Sequence, residues 1–291
     1  MPELPEVEAL ALDLRGRLAD RAIVTVHIAA FSALKTFDPP LRALEGGMVE
    51  DVTRHGKFLD FDVAGLHMVI HLARGGWIRW RDEVPTVPPK PSNKSPMAAR
   101  VVLDDQSGLD ITEAGTKKRL ALYVVRDPLD VPGIASLGPD PLTDDFTLET
   151  LREILAKEGR KQLKGVLRHQ GTIAGIGNAY SDEILHAARM SPFKAASSLL
   201  EGDDTDLVVL YDAIRITLGD AVERSRGLAA SELKSEKKSN LAVHGRTGEP
   251  CPVCSDTVRE VSFADSSLQY CPTCQTGGKP LADRRLSRLL K

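Results

Sequence analysis

A chain of 291 residues is long enough for two ordinary domains, or for one large domain and a small module. Its composition, 42% hydrophobic, 27% charged and 4% aromatic, is that of a soluble globular protein, and no apolar run approaches the roughly 18 residues that span a bilayer. The net charge of −3 argues against a uniformly basic nucleic-acid binder, but residues 224–291 carry twelve Lys/Arg against seven Asp/Glu, +5 locally, and phosphate affinity depends on the face presented.

The opening MPELPEVEAL carries Glu3, Glu6 and Glu8 where an export signal would be basic and then apolar, so the expectation is a cytoplasmic protein without a membrane anchor. Val7, Leu10, Leu14 and Leu18 recur at spacings of three and four, which predicts one buried face of a first helix, with Pro5 in its first turn. IVTVHI (23–28), FLDFDV (58–63), HMVIHL (67–72), ARVVL (99–103) and LDIT (109–112) read as strands, with a hairpin turn over 104–108. Together they predict an antiparallel sheet domain over residues 1–126. The proline-rich 84–96 reads as a loop and 127–145 as a linker. Helical periodicity then dominates to about residue 226, in a domain taken as 146–240, followed by a cysteine module and basic tail over 241–291. There is no internal repeat.

All four cysteines lie in Cys251-x2-Cys254 and Cys271-x2-Cys274, separated by sixteen residues. Each C-x-x-C places two thiolates on one tight knuckle, and two knuckles supply the tetrahedral sulfur set of structural Zn2+. Four sulfurs leave no open position for water, so this metal is expected to be structural. The intervening VREVSFA predicts a β-hairpin, hence a zinc ribbon.

Residues 171–185, GTIAGIGNAYSDEIL, run from a glycine-rich turn into a helix, with Asn178 suited to the N-cap. Exposed N–H groups at such a turn, backed by the helix dipole, suit a phosphate. Lys161, Lys164 and Arg168 fall at spacings that put them on one face nearby. An ordinary packing corner with a solvated basic face explains this segment equally well. Pro2 is open to two readings as well. Proline followed by acids is common helix-start chemistry. Removal of Met1 would instead leave a secondary amine, and α-amino groups titrate near 7.7–8, so part of it would be a neutral nucleophile at neutral pH. Such an amine attacks C1′ of a sugar to form an iminium, with the adjacent Glu3 as general acid or base.

MPELPEVE, RHGKFLDF (54–61), LGPDPL (137–142), LKGVLRHQGTIAGIGNAYSDEIL (163–185) and HGRTGEPCPVC (244–254) occur together and in this order. In them the chain resembles the Fpg/Nei family, the formamidopyrimidine-DNA glycosylases and endonuclease VIII-type enzymes. The resemblance implies an α+β multi-domain fold: an N-terminal β-sandwich headed by a helix, a helix–two-turn–helix domain and a C-terminal zinc ribbon. It implies a monomer acting on double-stranded DNA with a damaged base or abasic site, the damaged nucleotide flipped out. Pro2 becomes the Schiff-base nucleophile, Glu3 the proton-transfer partner and Glu6 a buried support near the amine. Lys57 contacts a phosphate beside the lesion, Gly177 and Asn178 hold another, with Lys164 close by, and Cys251, Cys254, Cys271 and Cys274 bind the zinc. The implied reaction is base excision followed by β- and δ-elimination.

Four places depart from the family. Arg74 stands in HLARGGW where a methionine usually fills the gap left by the flipped base. GTKKRLA (115–121) replaces a loop that usually supplies an arginine and a phenylalanine wedge, which leaves Lys118 and Leu120 as counterparts. Ser266 stands where the finger normally carries a phosphate-gripping arginine, with Arg259 or Arg284, Arg285 and Arg288 of the tail as substitutes. LKSEKKSN (233–240) likewise lacks the usual lesion-capping sequence. Two alternatives therefore stand beside a bifunctional glycosylase and lyase: an abasic-site lyase with little glycosylase activity, and a non-cutting binder of damaged DNA. A hydrolase built on His55, His67, His71 or His244 lacks any nucleophile at a usable spacing.

Overall fold

The structure, a computed structural model, describes residues 2–92, 94–263 and 266–282. These residues form two compact units: Met1–Leu137 with Val222–Lys234, and Gly138–Ala221 with Ser235–Lys291. No helix among the described residues is long and apolar enough to cross a membrane.

The first unit opens with α1 (Leu4–Leu18), whose first turn holds Pro5 and Glu6 and whose last turn holds Arg15 and Arg17, charges that complement the helix dipole. Val7, Leu10, Leu14 and Leu18 are buried, as their spacing predicts. Eight strands follow: β1 (Ile23–Ile28), β2 (Val49–His55), β3 (Phe58–Val63), β4 (Leu66–His71), β5 (Gly76–Arg81), β6 (Met97–Leu103), β7 (Gly108–Glu113) and β8 (Ala121–Val125). They form two four-stranded antiparallel sheets, ordered β1-β6-β7-β5 and β2-β3-β4-β8. Val52, Phe61, Met68 and Val124 pair across the second sheet and are all buried. Ala99, Ile111 and Ile78 make the matching row in the first. Both rows belong to one apolar core that also takes in α1, which is the expected helix-headed sandwich. Because strand side chains alternate with period two, a slip of one residue would turn either row out to water.

The segment 127–145 is structured, not merely connecting. It contains α2 (Pro132–Ala135), and Val131 and Ile134 pack with Val69 and Val125 on the face of the second sheet turned away from the main core.

In the second unit Thr147 caps α3 (Leu148–Glu158), accepting from Thr150 N at 3.1 Å. Next come α4 (Leu163–Arg168), a turn, α5 (Asn178–Ala187) and α6 (Thr205–Ser225). Leu163, Val166, Leu167, Ile184 and Leu185 are buried, in agreement with the periodicity. The Lys-rich 233–240 forms a short helix, α7 (Leu233–Asn240). The cysteine module supplies the hairpin β9 (Arg259–Ser262) and β10 (Ser267–Tyr270), then α8 (Pro272–Thr276).

Candidate active site and metal centre

Pro2 is buried immediately ahead of α1. Glu3 occupies the N-cap, and its backbone N–H donates to Glu6 Oε2 at 2.8 Å, which closes a capping box. A capping box on a surface helix leaves its acids in water; here Glu3 is 3% and Glu6 2% exposed. Carboxylates are almost never buried without a partner or a task. Met1, whose removal would free the amine, lies outside the described residues.

Lys57 sits in the tight β2–β3 turn, where Gly56 takes φ +56° and Lys57 is buried. Arg54 fixes this turn to the first helix. Its Nε donates to Glu8 Oε2 at 2.7 Å, and its Nη1 to Gly56 O at 3.1 Å. Across the ladder from Phe58, His71 is pushed down to about 4, first by burial and then by the charge of Lys57. The imidazole beside Lys57 is therefore neutral at pH 7.

The turn between α4 and α5 is organised by Gln170. Its Nε2 donates to Arg168 O (2.9 Å) and Ile176 O (2.7 Å), and its Oε1 accepts from Gly175 N (3.1 Å), where φ is +84°. The structure corrects one local expectation: Gly177 is the N-cap and Asn178 the first helical residue. The Asn178 side chain is committed elsewhere. Its Nδ2 donates to Ser267 O of the hairpin at 2.8 Å, and its Oδ1 is buried without a hydrogen-bond partner among the described residues.

Lys164 needs a second correction. Lys161 and Arg168 are exposed, but Lys164 is 5% exposed, and its ammonium donates to Asn178 O, Ser181 Oγ and Asp182 Oδ1, the last at 2.5 Å. A buried ammonium satisfied in this way supports the turn from within and does not face a phosphate. Asp182, fully buried, also accepts from His244 Nδ1 at 2.8 Å and Gln269 N at 3.2 Å. Glu183 accepts three backbone N–H groups, from Ala242, Val243 and His244. Burial raises its pKa despite those bonds. Neither acid stood out in the sequence, and both tie α5 to the approach to the cysteine module.

The four sulfur atoms of Cys251, Cys254, Cys271 and Cys274 lie within 4.8 Å of one another, with Cys254–Cys271 at 3.3 Å and Cys251–Cys274 at 3.9 Å. A tetrahedron with Zn–S bonds of about 2.3 Å has edges of roughly 3.8 Å, so the donor set fits the ion. Burial pushes the Cys271 thiol up to about 11 and the Cys274 thiol higher still, so these sulfurs lose their protons at neutral pH only in the company of a cation. Asp256 braces both knuckles, its backbone O accepting from Cys251 N (2.7 Å) and its Oδ2 from Thr273 Oγ1 (2.8 Å). With all four positions taken by sulfur, the zinc is structural.

Residues 1–119 match the formamidopyrimidine-DNA glycosylase N-terminal domain, 137–232 the H2TH domain of the same enzymes, and 248–277 the zinc finger found in FPG and IleRS. The chain belongs to the formamidopyrimidine-DNA glycosylase family. It is 34% identical to the formamidopyrimidine-DNA glycosylase of Symbiobacterium thermophilum over 98% of this chain and 93% of that one. An uncharacterized formamidopyrimidine-DNA glycosylase-like protein of Mycobacterium tuberculosis is 58% identical over 55% of this chain and 98% of its own length. The crystal structure of the Lactococcus lactis Fpg (MutM) with DNA containing N7-benzyl-Fapy-dG superimposes with a TM-score of 0.81 at 26% identity, over 94% of this chain and all of that one.

Three positions at which this formamidopyrimidine-DNA glycosylase family member departs from the usual pattern sit in different surroundings. Arg74 is exposed on the β4–β5 turn, whose shape depends on its glycines: a Cβ on Gly76 would lie 2.0 Å from Leu72 O, and one on Gly75 2.3 Å from Ala114 O. Lys118 is half-buried, with its ammonium on Glu113 O. Glu113 Oε1 accepts the N–H groups of Arg119 and Leu120, which sets the course of that loop. Leu120 itself is 2% exposed within the sandwich core, so the expectation that it serves as a wedge is withdrawn. Ser266 closes the hairpin, its O accepting from Phe263 N at 2.7 Å. Arg259 is exposed on β9, while Arg284, Arg285 and Arg288 lie outside the described residues.

Proposed function

We propose that this protein is a base-excision repair enzyme, a DNA glycosylase with abasic-site lyase activity, whose nucleophile is the amine of Pro2 after removal of Met1. The observation that carries the reading is the pair of buried carboxylates, Glu3 and Glu6, at the residues following that amine. A helix start with a purely structural role has no need to desolvate two acids. The proposed DNA contacts are Lys57 on its braced turn, Arg74 and Lys118 near the displaced base, and, through the backbone rather than the committed Asn178 side chain, Gly177 with Asn178 at the start of α5. The substrate is double-stranded DNA holding a damaged base or an abasic site; complexes of structural relatives contain DNA with 8-oxo-G, Fapy-dG or an abasic site.

In the proposed sequence the Pro2 nitrogen lone pair forms a bond to C1′ as the C1′–N glycosidic bond breaks. The base leaves with the bonding pair and a proton. Glu3 protonates O4′ as the sugar ring opens, leaving an iminium between Pro2 and C1′. That positive charge acidifies C2′–H, so loss of this proton expels the 3′ phosphate, and a second elimination expels the 5′ phosphate. Hydrolysis of the iminium returns the free amine.

Borohydride reduces an iminium to a stable amine, so protein shown to lack Met1 is expected to become covalently linked to DNA bearing one abasic site. Pro2→Gly should weaken the adduct strongly, and Glu3→Gln should slow its formation on a damaged base. Absence of any adduct from correctly processed protein would rule out the amine mechanism and leave a non-cutting damage binder. Ser266 and the altered 115–121 loop favour a second outcome, trapping on abasic sites with little release of damaged bases.

A further inference from the structure

The last turn of α5 places His186 against the metal centre. The side chain is buried, and its Nε2 lies 3.2 Å from Sγ of Cys251, a residue 65 positions further along the chain. Zinc-bound cysteine is a thiolate and carries no proton, so a hydrogen bond here has one possible direction: the imidazole N–H donates and the sulfur accepts. His186 is not a fifth ligand. The four cysteine sulfurs already make up the tetrahedral set and are the only group of metal-ligating atoms among the described residues to lie mutually within 4.8 Å. We propose that His186 is a positioning residue of the zinc centre, its Nε2–H donating to the Cys251 thiolate.

The chemistry gives this bond two effects. Four thiolates around one divalent cation leave a net negative cluster, and an N–H donor drains charge from the sulfur it touches. The Cys251 sulfur thereby becomes a weaker nucleophile toward electrophiles and oxidants. The bond also fixes the direction of the sulfur lone pairs and so its aim at the metal. Asp182 and Glu183, on the same helix, hold backbone N–H groups of residues 242–244 and 269. The helix that begins at the Gly177–Asn178 turn therefore grips the finger at its backbone and, through His186, at one metal ligand.

The test compares His186→Phe, which keeps a ring of similar size without a donor, with His186→Gln, which keeps an N–H donor without the ring. Zinc affinity is read by competition with a chromophoric chelator, and thiolate reactivity by the rate of zinc release on alkylation. Loss of an outer partner of a metal ligand typically costs on the order of 10–100-fold in affinity. His186→Phe is expected to show that loss and faster release, with His186→Gln recovering most of both. In the cobalt-substituted protein, the sulfur-to-metal charge-transfer band should move to lower energy in His186→Phe only. Wild-type affinity in His186→Phe, or equal loss in both variants, would overturn the proposal, the second result assigning His186 to packing alone. Should His186→Phe fail to fold, the wild-type protein decides. With 15N-labelled imidazole, a slowly exchanging Nε2–H that disappears on zinc removal supports the bond, and an unprotonated Nε2 overturns it.

Discussion

Lys164 offers the sharpest test of the geometry, because two readings of it predict opposite results. The Lys164–Asp182 pair is closed off from water, with side-chain exposures of 6% and 0%. Replacing Lys164 with methionine keeps most of the volume and removes the charge, leaving Asp182 with His244 Nδ1 and Gln269 N as its remaining hydrogen-bond donors. Stripping one partner from a buried ion pair costs about 3–5 kcal/mol. Two surviving hydrogen bonds place this case near the lower end, about 3 kcal/mol. For a unit of this size that corresponds to a Tm decrease of roughly 6–12 °C. The Lys164→Met, Asp182→Asn double variant should recover part of the loss, since the uncompensated charge is gone and contacting residues couple. Urea and thermal unfolding of the three proteins measure this. Were Lys164 instead a solvated phosphate contact, stability would change by no more than about 0.5 kcal/mol. The slope of log affinity for DNA against log salt would then fall by about 1. Near-unchanged stability together with that smaller slope would refute the buried-support argument.

Two further outcomes follow from the titrating groups and the metal. His71 has a folded-state pKa of about 4, below its unfolded value, so the native state binds fewer protons between these limits. Its contribution is therefore fully present above about pH 6.5 and is lost as pH falls toward 4, by about 3 kcal/mol from a shift of this size. Urea titrations at pH 7 and pH 4.5 should show that decline in the wild type and a flatter profile in His71→Gln. Zinc removal by a strong chelator, or Cys274→Ser, should release the 248–277 region to proteolysis because its two small apolar clusters, Val243 and Val258 with the cysteines and Val261 with Leu268 and Tyr270, cannot hold it alone. Amide protection in β1–β8 should persist, since those strands rest on a separate core.

Arg74 and Lys118, the residues proposed to sit near the displaced base, are ones that local pattern places poorly. They remain candidates for the space of a flipped base: Arg74 stands on a glycine-dependent turn whose Gly75 O accepts from Ala114 N on another strand's end, and Lys118 on a loop bound by the nearby Glu113. The strands show the same limit. β1, β3, β4, β6 and β7 announce themselves by β-branched and aromatic runs. β2 (VEDVTRH) and β5 (GWIRWR) do not, because their polar positions mask the alternation until the neighbouring ladders supply partners.

What the sequence alone determined is what repeats over short distances. The buried face of α1 follows from a period of 3.6, five strands from short β-branched and aromatic runs, and the zinc ligands from two C-x-x-C knuckles. The N-terminal Pro-Glu pair is legible for the same reason, as adjacent residues. Only the tertiary structure decided which side chains lose contact with water and to whom they then turn. Lys164 shares a helical spacing with the exposed Arg168 yet is buried against Asp182, eighteen residues away. Leu120 sits in a loop segment yet belongs to the core. Asn178 reaches Ser267 across 89 residues and His186 reaches Cys251 across 65. Periodicity specifies the face of an element; the cost of leaving a buried polar group unpaired selects its partner, and that partner is known only once the elements have packed.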